Sequence, residues 1–66
     1  MSPAEAGFYE RLGAAIREGR KARGWTLYDV GAAVGVSAAA VSRWERAEDR
    51  MKAYHLHRFR CEGLLP

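Results

Sequence analysis

Residues 26–46 read TLYDVGAAVGVSAAAVSRWER, and this stretch decides the fold. Its apolar side chains recur at spacings of three and four before Gly35 and again after Ser37, so each set lies on one face of a short helix. The three residues between the two sets, Gly35 to Ser37, have the composition of a tight turn. The stretch predicts two short helices joined by a turn, a helix-turn-helix over about residues 26–47. Such a pair places its second helix in the major groove of DNA.

A longer helix is predicted before this stretch. Pro3 suits the first helical position, with Ser2 as its N-cap. An apolar stripe then recurs at helical spacing, at Phe8, Leu12, Ala15 and Ile16. Gly24 favours the left-handed conformation that ends helices, so the helix is expected to stop there, with Gly19 as a point of close packing.

A fourth helix is predicted after the stretch, over about residues 53–62, with an apolar tail at 64–66. Tyr54, Leu56 and Phe59 are expected to be partly buried along it, as is Cys61. The sequence contains no strand pattern. The prediction is therefore an all-α, compact four-helix domain, or five helices if the tail adds a turn, with residues 1–66 forming a single domain.

Size and composition narrow the class of protein. The chain has 66 residues, a net charge of +3 and one cysteine. Six basic residues against three acidic ones lie between positions 43 and 60, which suits a polyanionic partner. The single cysteine allows no internal disulfide, and no segment resembles a signal peptide or membrane span, so the expected location is the cytoplasm. No paired titratable groups indicate an enzyme, a small-molecule substrate or a cofactor.

These residues together resemble the Cro/C1-type (XRE-like) helix-turn-helix family of phage and bacterial regulators. The resemblance covers roughly residues 11–60. It is carried by the order and spacing of these markers: Leu12, Ile16, Arg20, Gly24, Thr26, the turn at 35–37, and the block from Val41 to Arg46. It implies a lambda-repressor-like fold and sequence-specific binding of double-stranded DNA. The protein is expected to be located in the nucleoid, which would be that of the host cell if a phage encodes the chain.

The resemblance also implies roles for individual positions. The base-contacting positions would be Ala38, Ala39, Ser42 and Arg43. The phosphate-contacting positions would be Thr26, Leu27, Ser37, Arg46, Arg50 and Lys52. Glu45 resembles the acid that pairs with an arginine of the first helix, here Arg20. Solvation of the loop charges at 50 and 52 is an equally open reading, and plain solvation is favoured for Arg58 and Arg60.

Two departures from the family pattern alter the expected readout. Position 27, commonly glutamine in the family, is leucine, so only backbone N–H groups can bind a phosphate there. Positions 38–40 are all alanine, and an alanine can touch a thymine methyl group but cannot hydrogen-bond to a base edge. Direct readout therefore depends on Arg43 and Ser42, with a larger share left to DNA shape.

Other chemistry-bearing residues have simpler interpretations. Trp25 and Trp44 are expected to be buried rather than stacked on bases, and the three tyrosines to be partly buried. His55 and His57 point about 200° apart on a helix, so with Cys61 they are not expected to form a metal site.

Oligomeric state and function class stay open at this point. A homodimer on a palindromic operator is favoured, because a dimer spans two half-sites. Phe59, Leu64 and Leu65 are either terminal core or a patch for the second subunit. A Cro-like repressor is the preferred function. A protein-interaction module of the same fold, such as an antitoxin-like partner or a phage assembly subunit, is the alternative, and an enzyme is the weakest option.

Overall fold

A computed structural model describes residues 3–65, and these form four helices without a strand. The helices are α1 (Pro3–Ala22), α2 (Leu27–Val34), α3 (Ala38–Glu45) and α4 (Ala53–Cys61). The all-α, four-helix prediction is confirmed; α2 ends at Gly35 as expected, and α1, α3 and α4 end one or two residues earlier than expected. The proposed cap Ser2 lies outside the described residues. Within 3–65, no helix is both long and apolar enough to cross a membrane.

The core draws on all four helices and on the chain after α4. Its fully buried side chains are Ile16, Val30, Val41 and Phe59. Leu64 and Leu65 are 3% and 8% exposed, so the apolar tail completes the core and is not a patch for a second subunit. In a chain of this size, each buried side chain contributes a large share of the free energy of unfolding, because the stability of small domains is marginal.

Close backbone contact joins α1 to α3 and to the tail. A Cβ atom placed on Gly13 would lie 2.8 Å from the carbonyl oxygen of Glu45, and nearer still to that of Trp44. On Gly19 it would lie 2.6 Å from the carbonyl oxygen of Leu64, which confirms the expected close packing there. The absence of a side chain at these two positions therefore sets how closely α3 and the tail approach α1.

Side-chain caps begin α2 and α3. The Thr26 hydroxyl accepts a hydrogen bond from the Asp29 N–H, and the Asp29 carboxylate accepts one from the Thr26 N–H, at 3.1 and 2.8 Å. This is a complete capping box. Ser37 accepts from the Ala40 N–H at 3.1 Å and caps α3 in the same way. Each cap satisfies a backbone donor that the helix itself cannot satisfy.

A left-handed residue follows each of the four helices, and after α1, α3 and α4 it forms part of a Schellman pair of hydrogen bonds. After α3, the Glu48 N–H donates to the Arg43 carbonyl and the Ala47 N–H donates to the Trp44 carbonyl. Glycine occupies the left-handed position after the other three helices, at 24, 35 and 63. Alanine occupies it after α3, with φ of 57°. The end of α3 is therefore the strained one, because a Cβ atom disfavours this conformation.

We expect Ala47→Gly to stabilise the fold by about 0.5–1 kcal/mol, since relief of the left-handed strain outweighs glycine's larger unfolded-state entropy. A domain of this size should then melt roughly 4 °C higher. Circular dichroism melting measures this. As a control, Ala14→Gly at an exposed position inside α1 should lower the melting temperature. A lower melting temperature for Ala47→Gly would contradict the strain argument.

Several predicted burials are wrong. Tyr28 and Tyr54 are 78% and 62% exposed, and Phe8 is 44% exposed. Cys61 is also exposed. The prediction for Trp25 holds in part: its ring is half-buried against the core, with the Arg23 guanidinium 4.8 Å from the ring centroid. The reason is common to the exposed residues: so small a chain cannot enclose every one of its apolar side chains.

Candidate nucleic-acid interface

The inner side of α3 anchors the helix in the core. Val41 is fully buried and Trp44 is 6% exposed. The Trp44 ring meets the ring of Phe59 edge-on, with centroids 5.9 Å apart, and lies 4.8 Å from the ring of His55. These contacts fix the rotation of α3 about its axis, because a rigid aromatic side chain leaves little freedom once it is packed.

The outer side of α3 carries the four predicted base-contacting residues. Ala39 and Arg43 are exposed, and Ala38 and Ser42 are half-buried. This is the arrangement on which the helix-turn-helix interpretation depends, with the alanine-serine-arginine face turned away from the chain's own core. The face projects little apart from Arg43, so a helix presenting it can approach a groove closely.

The turn between α2 and α3 is held tightly. Gly35 ends α2 with φ of 81°, and its N–H and that of Val36 both donate to the Gly31 carbonyl. A Cβ atom on Gly31 would lie 2.5 Å from the carbonyl oxygen of Val36. The left-handed turn and the close approach at Gly31 together set the angle between α2 and α3.

The end of α3 is tied to α1 through Arg20 and Glu45. The guanidinium donates to both carboxylate oxygens, at 2.8 and 3.0 Å, and also to the Trp25 carbonyl at 3.1 Å. The side chains are only 17% and 8% exposed. The hydrogen bonds that Arg20 donates to Glu45 raise the pKa of Arg20, burial lowers it, and the negative charge of the carboxylate raises it further. Arg20 therefore stays charged and positions α3 rather than facing solvent.

The start of α2 provides a second candidate surface. The Thr26 oxygen accepts from Asp29, which leaves the hydroxyl proton of Thr26 available to a phosphate. The Leu27 side chain packs against the core, so its contribution would come from the backbone N–H at the helix N-terminus. Asp29 places a negative charge at the same end, which reduces the attraction for an anion.

A model of the helix-turn-helix family matches residues 16–52, more than half of the 66 residues. The chain belongs to the Cro/C1-type helix-turn-helix family. It is a DNA-binding regulator of that general class. The matched residues run from Ile16 in α1 to Lys52, and so contain both helices of the motif and the loop after α3. Searches of curated proteins and of solved structures gave no match.

The remaining basic candidates of this helix-turn-helix protein lie on and after α3. Arg43, Arg46, Arg50 and Lys52 are all exposed. Two of them face acids. The Nε atom of Arg43 lies 3.8 Å from an Asp49 carboxylate oxygen, and Arg46 lies 3.4 Å from Glu48. Both pairs are exposed, so each contributes little stability and can exchange for a phosphate.

We expect Asp49→Asn to increase DNA affinity by about 2- to 5-fold, because it frees Arg43 and removes a negative charge beside it. The asparagine oxygen can still accept the hydrogen bond that Asp49 takes from the Arg50 N–H. Fluorescence anisotropy with labelled duplex measures the change. Glu18→Gln, an equal change of charge at an exposed position of α1, should have a smaller effect; equal effects of the two would contradict a local role for Asp49.

Sequence reasoning missed Tyr28 as a candidate contact. It follows Leu27 in the first turn of α2 and is 78% exposed, with its hydroxyl available to donate to a phosphate. The spacing of the apolar residues in α2 could have shown this, because position 28 lies off the stripe formed by 27, 30 and 34.

Proposed function

We propose that this helix-turn-helix protein is a repressor that binds a specific operator sequence with α3 in the major groove. Arg43 and Ser42 contact base edges, and Ala38 and Ala39 lie against the groove floor. The observation that carries the proposal is the orientation of α3: Val41 and Trp44 hold its inner side in the core while the opposite side faces solvent. Arg43 is the side chain on that face able to make a bidentate contact with guanine.

Phosphate contacts on both sides of α3 would hold the helix in the groove. Before it lie the Thr26 hydroxyl, the N–H of Leu27 and the cap residue Ser37. After it lie Arg46, Arg50 and Lys52. Such contacts fix register without carrying sequence information. A second copy on a palindromic operator would double the phosphate contacts before and after α3, and the two copies would span two half-sites. Repression then needs no further activity, since occupying a promoter blocks it.

The test is selection of bound sequences from random duplexes, followed by affinity measurements at several salt concentrations. We expect a defined, palindromic sequence to be enriched. With the three exposed cations Arg46, Arg50 and Lys52 on phosphates, the logarithm of the binding constant should fall with the logarithm of salt with a slope of about −2.7 for each bound copy. Equal affinity for every duplex would overturn the sequence-specific proposal, and activation of a reporter carrying the selected site at its promoter would overturn repression.

A protein-interaction module is the second candidate, and the three alanines at 38–40 are the observation that favours it. Ala38 and Ala39 provide a small apolar surface with no hydrogen-bonding group for a base edge, while Ala40 packs against the core. Failure to bind any duplex, with folding retained, would favour this candidate over DNA readout.

A further inference from the structure

His57 and Cys61 lie one turn apart on α4, whereas the proposed DNA contacts lie on α2, α3 and the loop after α3. The Nε2 atom of His57 and the Sγ atom of Cys61 are 3.4 Å apart, and both residues are exposed. Imidazole nitrogen and thiolate sulfur are the two ligand types that zinc prefers in proteins. Positions 55 and 57 face apart on the helix and cannot share a metal ion, whereas positions 57 and 61 share a face.

The separation of these two atoms matches the bite of a tetrahedral zinc ion. Zinc lies about 2.3 Å from sulfur and about 2.05 Å from nitrogen, which at the tetrahedral angle places the two ligand atoms about 3.6 Å apart. The observed 3.4 Å differs from this by less than the usual spread in ligand distances. Hence a single zinc ion can reach both atoms with almost no rearrangement of α4.

Two ligands leave the coordination half complete. Within residues 3–65, no group of three or more histidine, cysteine or carboxylate side chains is placed to hold a metal. A closed four-ligand site would therefore take its other two ligands from another molecule. A second copy offers the same histidine and cysteine, and the sum is a Cys₂His₂ set, whose two thiolates balance the charge of the ion.

The surface around the pair allows a second copy to approach. Ala53 and Tyr54, one turn before His57, are exposed and uncharged. The guanidinium of Arg58 is turned away to donate to the Ala33 carbonyl at 2.8 Å, which ties α4 to α2. Arg60 lines a groove between α1 and α4. With Ala53 and Tyr54 uncharged and Arg58 held against α2, the repulsion between two basic chains is limited beside the pair.

We propose that His57 and Cys61 form half of a zinc site, and that zinc links two copies of this chain through α4. The Cys61 thiol releases its proton to solvent as the metal binds. The shared zinc site supplies a dimer contact that the buried tail cannot provide, and it makes the amount of dimer depend on the zinc concentration.

The test uses the full chain with a thiol-free reductant, stripped of metal and then titrated with zinc. We expect sedimentation equilibrium to show a change from the 7.4 kDa monomer to twice that mass, complete at one zinc ion per two chains. Cobalt in place of zinc should give the intense visible absorption of a tetrahedral site. A chain that stays monomeric at saturating zinc, or that binds zinc one-to-one without dimerising, would overturn the proposal.

Three variants separate zinc linkage from other causes. His57→Asn and Cys61→Ser should each abolish the zinc-dependent dimer, and their helical circular dichroism should be unchanged because both positions are exposed. Cys61→His should keep it, since a second imidazole can replace the thiolate but cannot form a disulfide. A dimer that forms only without reductant, ignores zinc and is lost in Cys61→His would be disulfide-linked and would contradict the inference. Mass is measured without DNA, so the outcome does not depend on the proposed function.

Discussion

Gly13→Ala is expected to destabilise the fold by about 3 kcal/mol, at the upper end of the range for overpacking. The new methyl group would overlap the carbonyl oxygens of Trp44 and Glu45, and backbone atoms cannot move aside as a flexible side chain can. A single core of this size contributes only about 3–5 kcal/mol, so much of the variant should be unfolded at 37 °C. Urea denaturation followed by tryptophan fluorescence and circular dichroism measures the loss.

Gly7→Ala is the matched control for this prediction. The substitution is the same and the helix is the same, but a Cβ atom at position 7 meets only the end of the flexible Arg11 side chain, at 3.2 Å. We expect it to stabilise α1 by up to about 1 kcal/mol, since alanine favours the helix more than glycine does. If the two variants unfold at the same urea concentration, the contact between α1 and α3 does not limit stability.

Arg43→Ala should lower affinity for the selected operator by about 5- to 150-fold, the equivalent of 1–3 kcal/mol for one bidentate base contact. It should also relax the preference at a single base pair in each half-site. Affinity for random duplex should fall much less. Anisotropy with the operator and with a scrambled duplex, at one fixed salt concentration, separates these effects.

Arg60→Ala removes the same charge from the groove between α1 and α4, away from the outer face of α3. It should reduce affinity for both duplexes slightly and equally. Equal losses for Arg43→Ala and Arg60→Ala, with no change in base preference, would show that Arg43 acts only as a charge.

Local rules account for what the sequence could predict. The capping residues Thr26 and Ser37 and the end at Gly35 follow from groups that a helix leaves unsatisfied, and these depend only on near neighbours. The inward direction of Val41 and Trp44 follows from helical spacing in the same way. The fold class, and which face of α3 points outward, could therefore be predicted from the sequence.

Long-range packing accounts for what the sequence could not predict. Leu64 can be buried because Gly19 has no side chain that would overlap the Leu64 carbonyl. The two residues are 45 positions apart in the sequence. The strain at Ala47 is invisible in the sequence, because alanine is an ordinary helix former and only the observed φ shows the left-handed turn. Likewise, the pairing of His57 with Cys61 depends on side-chain rotamers, although their spacing of four made it possible.

Two of the arginines that donate to backbone carbonyls join α4 and the residue after it to the rest of the chain. Arg58 donates to the carbonyl of Ala33, and Arg23 donates to the carbonyl of Glu62. Dissolved ions weaken the attraction between full charges far more than a direct hydrogen bond to a carbonyl. Raising the ionic strength should thus release the protein from its operator while the helices stay joined, so release by salt is expected to be fully reversible.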